Sequence, residues 1–413
     1  MSLGCWPRPR RRVFTASIVA LMLAGGGQSA GADVARVHNR APRAGDIESV
    51  RMQELWRAGG QDDEVFFGNV LQVLGGPEGE VFVLDVQLVK TFVFSKSGVL
   101  LRELGGEGEG PGEVTNINSI LLTSDGRLGQ GQVLPGRIVF VDRQGEPSGS
   151  MRLTDPEGSF VLLMNGQANE DLLLLAGMRW SMSEEGELVQ NMFLRRYEHD
   201  GTPGHDFCTK ESAFDAANFV FDELKFDFIW NRFAVTAEGL VCFAPHRNAY
   251  EIHACRADGT PVFVATRDYE SLQRDDEART QARLTHEALG SHYGRQLMGV
   301  TVEDAEPDIV SLWPSPDGTL WVRTSRGDRE RPAGVLTTVD VLDGRGQLIA
   351  QRQLVCPGDP ERDGIHFLPG DRVVVVRGAA EAGRREVGST TAESMGGDAA
   401  ELEVVCYGVG MGE

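Results

Sequence analysis

The sequence predicts an all-β chain folded as a six-bladed β-propeller of four-stranded antiparallel blades, and three observations predict it. A short apolar strand closed by a polar Gly turn recurs along the chain, and a strand-turn-strand piece precedes each recurrence. A single tract without alternation, rich in helix formers, interrupts the series between the fourth and fifth units.

The chain opens MSLGCWPRPRRRVFTASIVALMLAGGGQSAGA. Four arginines without an acid, the apolar run Val13–Ala24 and the Ala30-Gly31-Ala32 triplet make residues 1–32 an export signal cleaved after Ala32. The apolar run is too short to span a bilayer, which takes about 20 helical residues. Arg11-Arg12-Val13-Phe14 resembles a twin-arginine signal, but Thr15-Ala16 departs from it, so the export route stays open. Residues 33–44 read as a flexible polar leader, and the propeller is expected over 45–411. Ser49–Trp56 is strand-like, yet it precedes the first blade and has none of its own.

The repeat then begins. TFVFSKSG at Thr91–Gly98 returns as RIVFVDRQG (Arg137–Gly145), FLRRYEHDG (Phe193–Gly201), YEIHACRADG (Tyr250–Gly259) and TTVDVLDGRG (Thr337–Gly346). An extended stretch follows every Gly, which makes each a hairpin. Upstream pieces such as PEGEVFVLD, AEGLVCFAP and SPDGTLWVR supply the first two strands of each unit, and PGDRVVVVRG begins a sixth. The Gly turns step by 47, 56, 58 and 87 residues. The last step holds the helical insertion Arg274–Leu297. The sixth unit ends with Glu401–Val409 and lacks an outer strand. Proteins avoid a bare edge, so Ser49–Trp56 is expected to pair with Leu402–Tyr407 as a clasp, with Val50, Met52 and Leu55 packed inward past a bulge.

GGEGEGPGEV at Gly105–Val114 invites comparison with a phosphate cradle. It has no following helix or lysine, Pro111 removes a donor, and Glu107, Glu109 and Glu113 would repel an anion. It reads instead as a turn between strands. On GEGPGEV, the D/E-G-x-hydrophobic strand starts and the Gly hairpins, the chain resembles the six-bladed propellers of bacterial envelopes related to NHL-repeat proteins. That resemblance implies that Gly108, Gly110, Pro111, Gly112 and Glu113 link one blade's outer strand to the next blade's inner strand, here Val99–Leu104 to Asn118–Leu122.

Such links gather on the propeller face where ligands usually bind, and inner strands start there. Asn69, Asn118, Asn231, Asp308 and His366, with Ser159, occupy those starts and are the candidate binding residues at the channel mouth. Oxygen-rich rings suit calcium, which the resemblance to propeller lactonases also suggests; Asp308, Asn118 and Asn231 are the ligands it would need. A wet channel lined by polar residues accounts for the same pattern without metal.

Other motifs fail on context. GQSAG (Gly27–Gly31) lies in the export signal, and His286-Glu287 with His292 has the wrong spacing for a zinc pair, so both His belong to a solvated helix. Trp230, Trp313 and Trp321 fit packing between blades better than stacking on sugar. Cys242 and Cys255 fall in neighbouring strands and form a candidate disulfide; buried free thiols are the other reading.

After cleavage, 36 basic residues face 61 acidic ones, a net charge of −25 that disfavours nucleic acid. The reading is therefore an exported, monomeric, periplasmic or extracellular propeller without a transmembrane segment, binding a protein, peptide or glycan across its channel face without catalysis. A calcium-dependent lactonase- or lyase-like hydrolase at the channel mouth is the alternative.

Overall fold

Strand alternation builds the ring. In Val81–Asp85, Val81 and Val83 pack toward one neighbouring blade and Phe82 and Leu84 toward the other, so every residue of this strand is buried. The computed structural model describes residues 34–409 apart from 62, 156–159, 170–171, 216, 293–296 and 387–401. The export signal, Ser159 and GQSAG lie outside the described residues.

Blade 1 orders its strands Val70–Gly75, Val81–Asp85, Lys90–Phe94 and Leu100–Leu104 from the channel outward. Blade 2 spans Ile117–Leu122 to Pro147–Arg152 and blade 3 Leu162–Ala168 to Pro203–Phe214. Blade 4 runs from Phe233–Val235 to Pro261–Arg267, and blade 5 from Ile309–Pro314 to Leu348–Val355. Blade 6 supplies Gly364–Leu368, Arg372–Arg377 and Glu403–Val409. A hydrophobic cluster fills each of the six gaps between neighbours, blade 6 against blade 1 included. The glycines that close the repeats, Gly98, Gly145, Gly201, Gly259 and Gly346, all have positive φ, as the hairpin reading requires. The run Gly105–Val114 lies between the outer strand of blade 1 and the inner strand of blade 2, so it is a blade-to-blade link.

The N-terminal segment does more than close the ring. Strand β2, Ile47–Gly59, pairs antiparallel with Glu403–Val409 through Met52–Gly59 and completes blade 6. Its first half, Ile47–Arg51, pairs parallel with the outer strand of blade 5. The clasp thus exists but sits about three residues later than the sequence suggests, because the earlier residues serve another blade. The expected bulge falls at Leu55, which is 48% exposed instead of packed inward, while Met52, Trp56 and Ala58 are buried. Trp56 stacks on Phe94 at 5.3 Å and lies over the Gly98 turn, where an added Cβ would come within 2.5 Å of it.

The leader also differs from the reading of a flexible tract. Residues Ala35–Asn39 form strand β1, which adds in parallel to the outer edge of blade 4. The buried Asn39 side chain donates to the Gly346 carbonyl at 2.9 Å and accepts from the Leu348 amide at 2.9 Å, tying this strand to blade 5. Residues 35–59 therefore form a belt over the outer edges of blades 4, 5 and 6.

Helix α1, Glu223–Phe226, lies between blades 3 and 4, and the insertion between blades 4 and 5 contains helix α2, Asp276–His292. Among the described residues no helix is long and apolar enough to cross a membrane.

Candidate functional site

The inner strands of neighbouring blades diverge, so their backbone edges need partners other than a sheet ladder. Side-chain amides supply them. Gln72 accepts from the Ile120 amide of blade 2 at 2.7 Å, and Asn118 donates to the Leu163 and Met164 carbonyls of blade 3 at 2.9 and 3.1 Å. Asn165 donates to the Trp230 carbonyl at 2.8 Å, and Gln167 exchanges bonds with Phe233 and Val235 of blade 4 at 3.1 and 3.0 Å. These amides staple the channel wall from blade 1 to blade 4.

This arrangement does not assemble the ring of ligands expected from the sequence. Asn118 is one of the staples. Asn69 is buried, with its backbone amide held by Asp85 at 3.2 Å. Asp308 is 2% exposed and lies at the end of the inserted segment, its amide donating to the Arg247 carbonyl at 2.8 Å. Burial raises its carboxyl above the ordinary range, and one of its oxygens has no partner. Only Asn231 and His366 of the candidate set line the channel cavity. Among the described residues no group of three or more His, Cys, Asp or Glu side chains is placed to hold a metal ion.

The cavity measures about 480 Å³. Its walls run from Asn231 and Arg323 toward the inner hairpin turns at Ser315-Pro316 and Pro369–Asp371. Among the described residues, Asn231 is the lone contribution from the links between blades. The space therefore lies toward the face opposite the one inferred from the sequence. One wall is aromatic: Trp313 lies 4.3 Å from Phe367, and Phe367 meets Trp321 edge-on at 5.4 Å. Packing and channel lining coincide here, since Trp321 is buried in the cluster between blades 5 and 6 and still borders the cavity. Trp230 packs edge-on against Phe228 at 4.9 Å.

The charged residues of the wall are Arg323, Arg372 and Asp371, and only Arg323 has a carboxylate partner among the described residues. Arg323 Nε lies 2.9 Å from both oxygens of Asp328, whose position is fixed by the Thr337 hydroxyl at 2.7 Å. Arg372 donates to the Pro369 and Gly79 carbonyls at 3.2 and 2.8 Å, which closes the seam between blades 6 and 1. Burial and the nearby Arg323 guanidinium lower the His366 imidazole to about 4, so it is neutral at physiological pH. Unfolding should then take up a proton on this residue between about pH 4 and 6.5. Its contribution to stability is complete above 6.5 and declines as pH falls through that window, by less than about 1.4 kcal/mol per pH unit given its partial exposure. Urea melts of wild type and His366→Gln at pH 7.5 and 4.5 test this; the variant should lose less stability on acidification.

The cysteines are not a bridge. Cys242 pairs in register with Ala254 and Cys255 with Val241, which sends the two side chains to opposite faces of blade 4. Cys242 packs toward blade 5 and Cys255 toward blade 3, and both are free thiols. Burial pushes Cys242 up to about 12 and raises Cys255, so neither is a ready nucleophile.

His286 is not solvated. It stacks on Phe221 at 4.6 Å, and its Nε2 lies 3.8 Å from Glu223, within a buried ion network that the sequence did not reveal.

A model of the DUF5128 family, a 6-bladed β-propeller, matches residues 62–128. The chain is a six-bladed β-propeller. No curated protein matches its sequence. A candidate exported protein of Bacteroides fragilis aligns over 91% of this chain and 99% of its own, at 10% identity and a TM-score of 0.42. A DUF4221 member from Bacteroides vulgatus aligns over 87% and 98%, at 10% identity and 0.46. A streptogramin B lyase aligns over 78% and 80%, at 11% identity and 0.38.

Proposed function

We propose that this propeller is an exported, monomeric, non-catalytic binding protein of the NHL-like envelope type that takes its ligand in the central channel. The single observation that carries this reading is the cavity of about 480 Å³ with an aromatic wall and polar groups that are not used to hold the fold. Its size falls among small-molecule pockets, roughly 300–1,000 Å³. A ligand lying across the linker face, as the sequence suggested, would miss this space. The Arg-rich start and the Ala30-Gly31-Ala32 triplet support export, and N-terminal sequencing of the mature protein should begin at Asp33.

The alternative, a calcium-assisted hydrolase, loses support because Asp308 does not line the cavity and the Asn118 amide is spent on the wall. Stoichiometric calcium in the purified protein, lost in Asp308→Ala, would restore it.

Leu71 is 49% exposed and lines the cavity, so Leu71→Trp should fill the channel without disturbing the core. Native mass spectrometry of protein purified from its own envelope should show a bound mass in wild type and none in the variant. A bound mass retained by Leu71→Trp would place the ligand elsewhere and defeat the channel reading.

A further inference from the structure

We propose that the channel cavity binds a short neutral saccharide, with a sugar ring lying on Trp313 and Phe367 and its hydroxyls bonded to Asp371 and His366. This deepens the channel reading and rests on it. The first ground is that the wall carries charges of both signs. Asp371 is exposed in the turn between the first two strands of blade 6, and its carboxylate has no ion pair among the described residues. Its own carbonyl accepts from the Val409 amide at 3.2 Å, which fixes the turn. Arg372, the next residue, is buried and meets only the Pro369 and Gly79 carbonyls. A hydroxyl donates to a carboxylate and accepts from a guanidinium, so a polyol suits both groups. A simple ion suits one of them and is opposed by the other.

The second ground is the aromatic platform. Trp313 and Phe367 stand half-buried on the inner strands of blades 5 and 6, their ring centroids 4.3 Å apart, and both border the cavity. Phe367 and Asp371 belong to one hairpin, in which Leu368 pairs with Arg372, so platform and carboxylate share the hairpin-turn end of the channel. Aromatic rings present negative faces, and the C–H groups of a sugar ring lie flat on them. Packing between blades is therefore half of what Trp313 does.

The third ground is neutral hydrogen-bond capacity. Asn231 and His366 line the cavity and have side chains without a hydrogen-bond partner among the described residues, whereas Asn165 and Gln167 are already committed. The neutral imidazole offers one donor and one acceptor. Asn231 borders the cavity toward its other end, where a second sugar unit would lie. An amino acid answers the two charges but leaves these neutral groups unmet. The net charge of −25 on the mature chain repels uronates and sialosides, which makes the saccharide neutral.

The test screens the mature protein on an array of immobilised neutral, uronic and sialylated glycans, then titrates the strongest neutral glycan by calorimetry. Benzyltrimethylammonium and phenylalanine serve as the cationic and zwitterionic probes. At least one neutral glycan should bind saturably, with an affinity that changes less than about twofold from about 0.05 to 0.5 M salt, since no ion pair forms. Asp371→Asn and Trp313→Ala should each weaken it about tenfold, with the fold verified by circular dichroism. Asp371 is exposed in a turn, so its variant is informative even where Trp313→Ala unfolds. Leu71→Trp should abolish binding. A wild type that retains no neutral glycan, that prefers an acidic one, or whose affinity is unchanged in Asp371→Asn would overturn the assignment. If a salt-sensitive cation or zwitterion binds more tightly than any glycan and Leu71→Trp blocks it, the channel reading survives while this inference fails. If no glycan or probe binds wild type and the bound mass survives Leu71→Trp, both fall.

Discussion

Deletion of residues 34–59 is expected to leave no soluble, cooperatively folding propeller. The belt contributes the outer strand of blade 6 and covers the outer edges of blades 4 and 5, so its loss bares three strand edges at once. It also removes the buried side chains of Met52 and Trp56, each worth roughly 1.5–3 kcal/mol by apolar burial. A native fold holds only about 5–15 kcal/mol in reserve. The shorter deletion of 34–44 separates the two parts of the belt. It removes β1 and the paired bonds of Asn39, each worth about 1 kcal/mol, and leaves β2 in place. This variant should fold but melt earlier, and Asn39→Ala should reproduce part of the loss. Leu55→Ala, at the exposed bulge, should change stability by less than about 0.5 kcal/mol. Size-exclusion chromatography and thermal melts distinguish these outcomes. A 34–59 deletion that melts like the intact chain would mean that the ring closes without the belt.

What the sequence disclosed about this fold was local. A Gly that must take positive φ, an alternating strand and a chain end with a strand missing are all visible without knowing any neighbour, and the blades and the clasp followed from them. What it concealed depended on partners far along the chain. Ala-Arg-Val-His-Asn is too short and polar to announce a strand, because its pairing lies in parallel addition to residues 263–267 and in the two bonds of Asn39. Asn118 has the right chemistry for a ligand, and only the approach of blade 3 shows that its amide is spent on carbonyls. Asn231 and His366 were singled out as starts of inner strands; Asn231 precedes Phe233–Val235 and His366 lies within Gly364–Leu368. Trp313 and Phe367 were not found as a pair, since an aromatic in a strand reads the same whether it faces a blade gap or a channel. The parity of Cys242 and Cys255 was in principle readable, because paired strands in the observed register put those two positions on opposite faces.

Glu223→Ala is expected to release the inserted segment from the ring. Glu223 is the first residue of α1, and Asp222 caps that helix by accepting from the Lys225 amide at 3.0 Å. The Glu223 carboxylate accepts from Arg247 of blade 4 at 2.7 Å, from Arg274 at 2.7 and 2.9 Å, and from the Glu303 amide at 2.8 Å. Arg274 continues to Glu306 at 3.1 Å, so one buried anion joins both ends of the insertion to a blade. Removing it leaves the buried Arg247 guanidinium without a carboxylate and Arg274 with Glu306 alone, and breaking a buried pair in this way costs about 3–5 kcal/mol. The loss should be regional. Hydrogen exchange over 276–306 should quicken severalfold, while the strands of blades 1 and 2 keep their protection. Glu223→Leu combined with Arg274→Met should recover part of the protection, because one stranded charge is then replaced by apolar packing beside Phe221 and Phe226, which stack at 4.2 Å. Acid provides an independent check. The His286 imidazole 3.8 Å away and the bonds from Arg274 and the Glu303 amide outweigh burial and hold this carboxyl well below its ordinary value of 4.5. Its contribution is therefore complete above about pH 4.5, and it declines below that pH as the unfolded chain binds a proton that the native carboxylate refuses, by about 1.4 kcal/mol per unit. Between pH 5 and 3 the wild type should lose protection in the insertion faster than Glu223→Ala, which has no such proton to take up. Parallel acid profiles for the two proteins would show that the aromatic cluster, and not the ion network, holds the insertion in place.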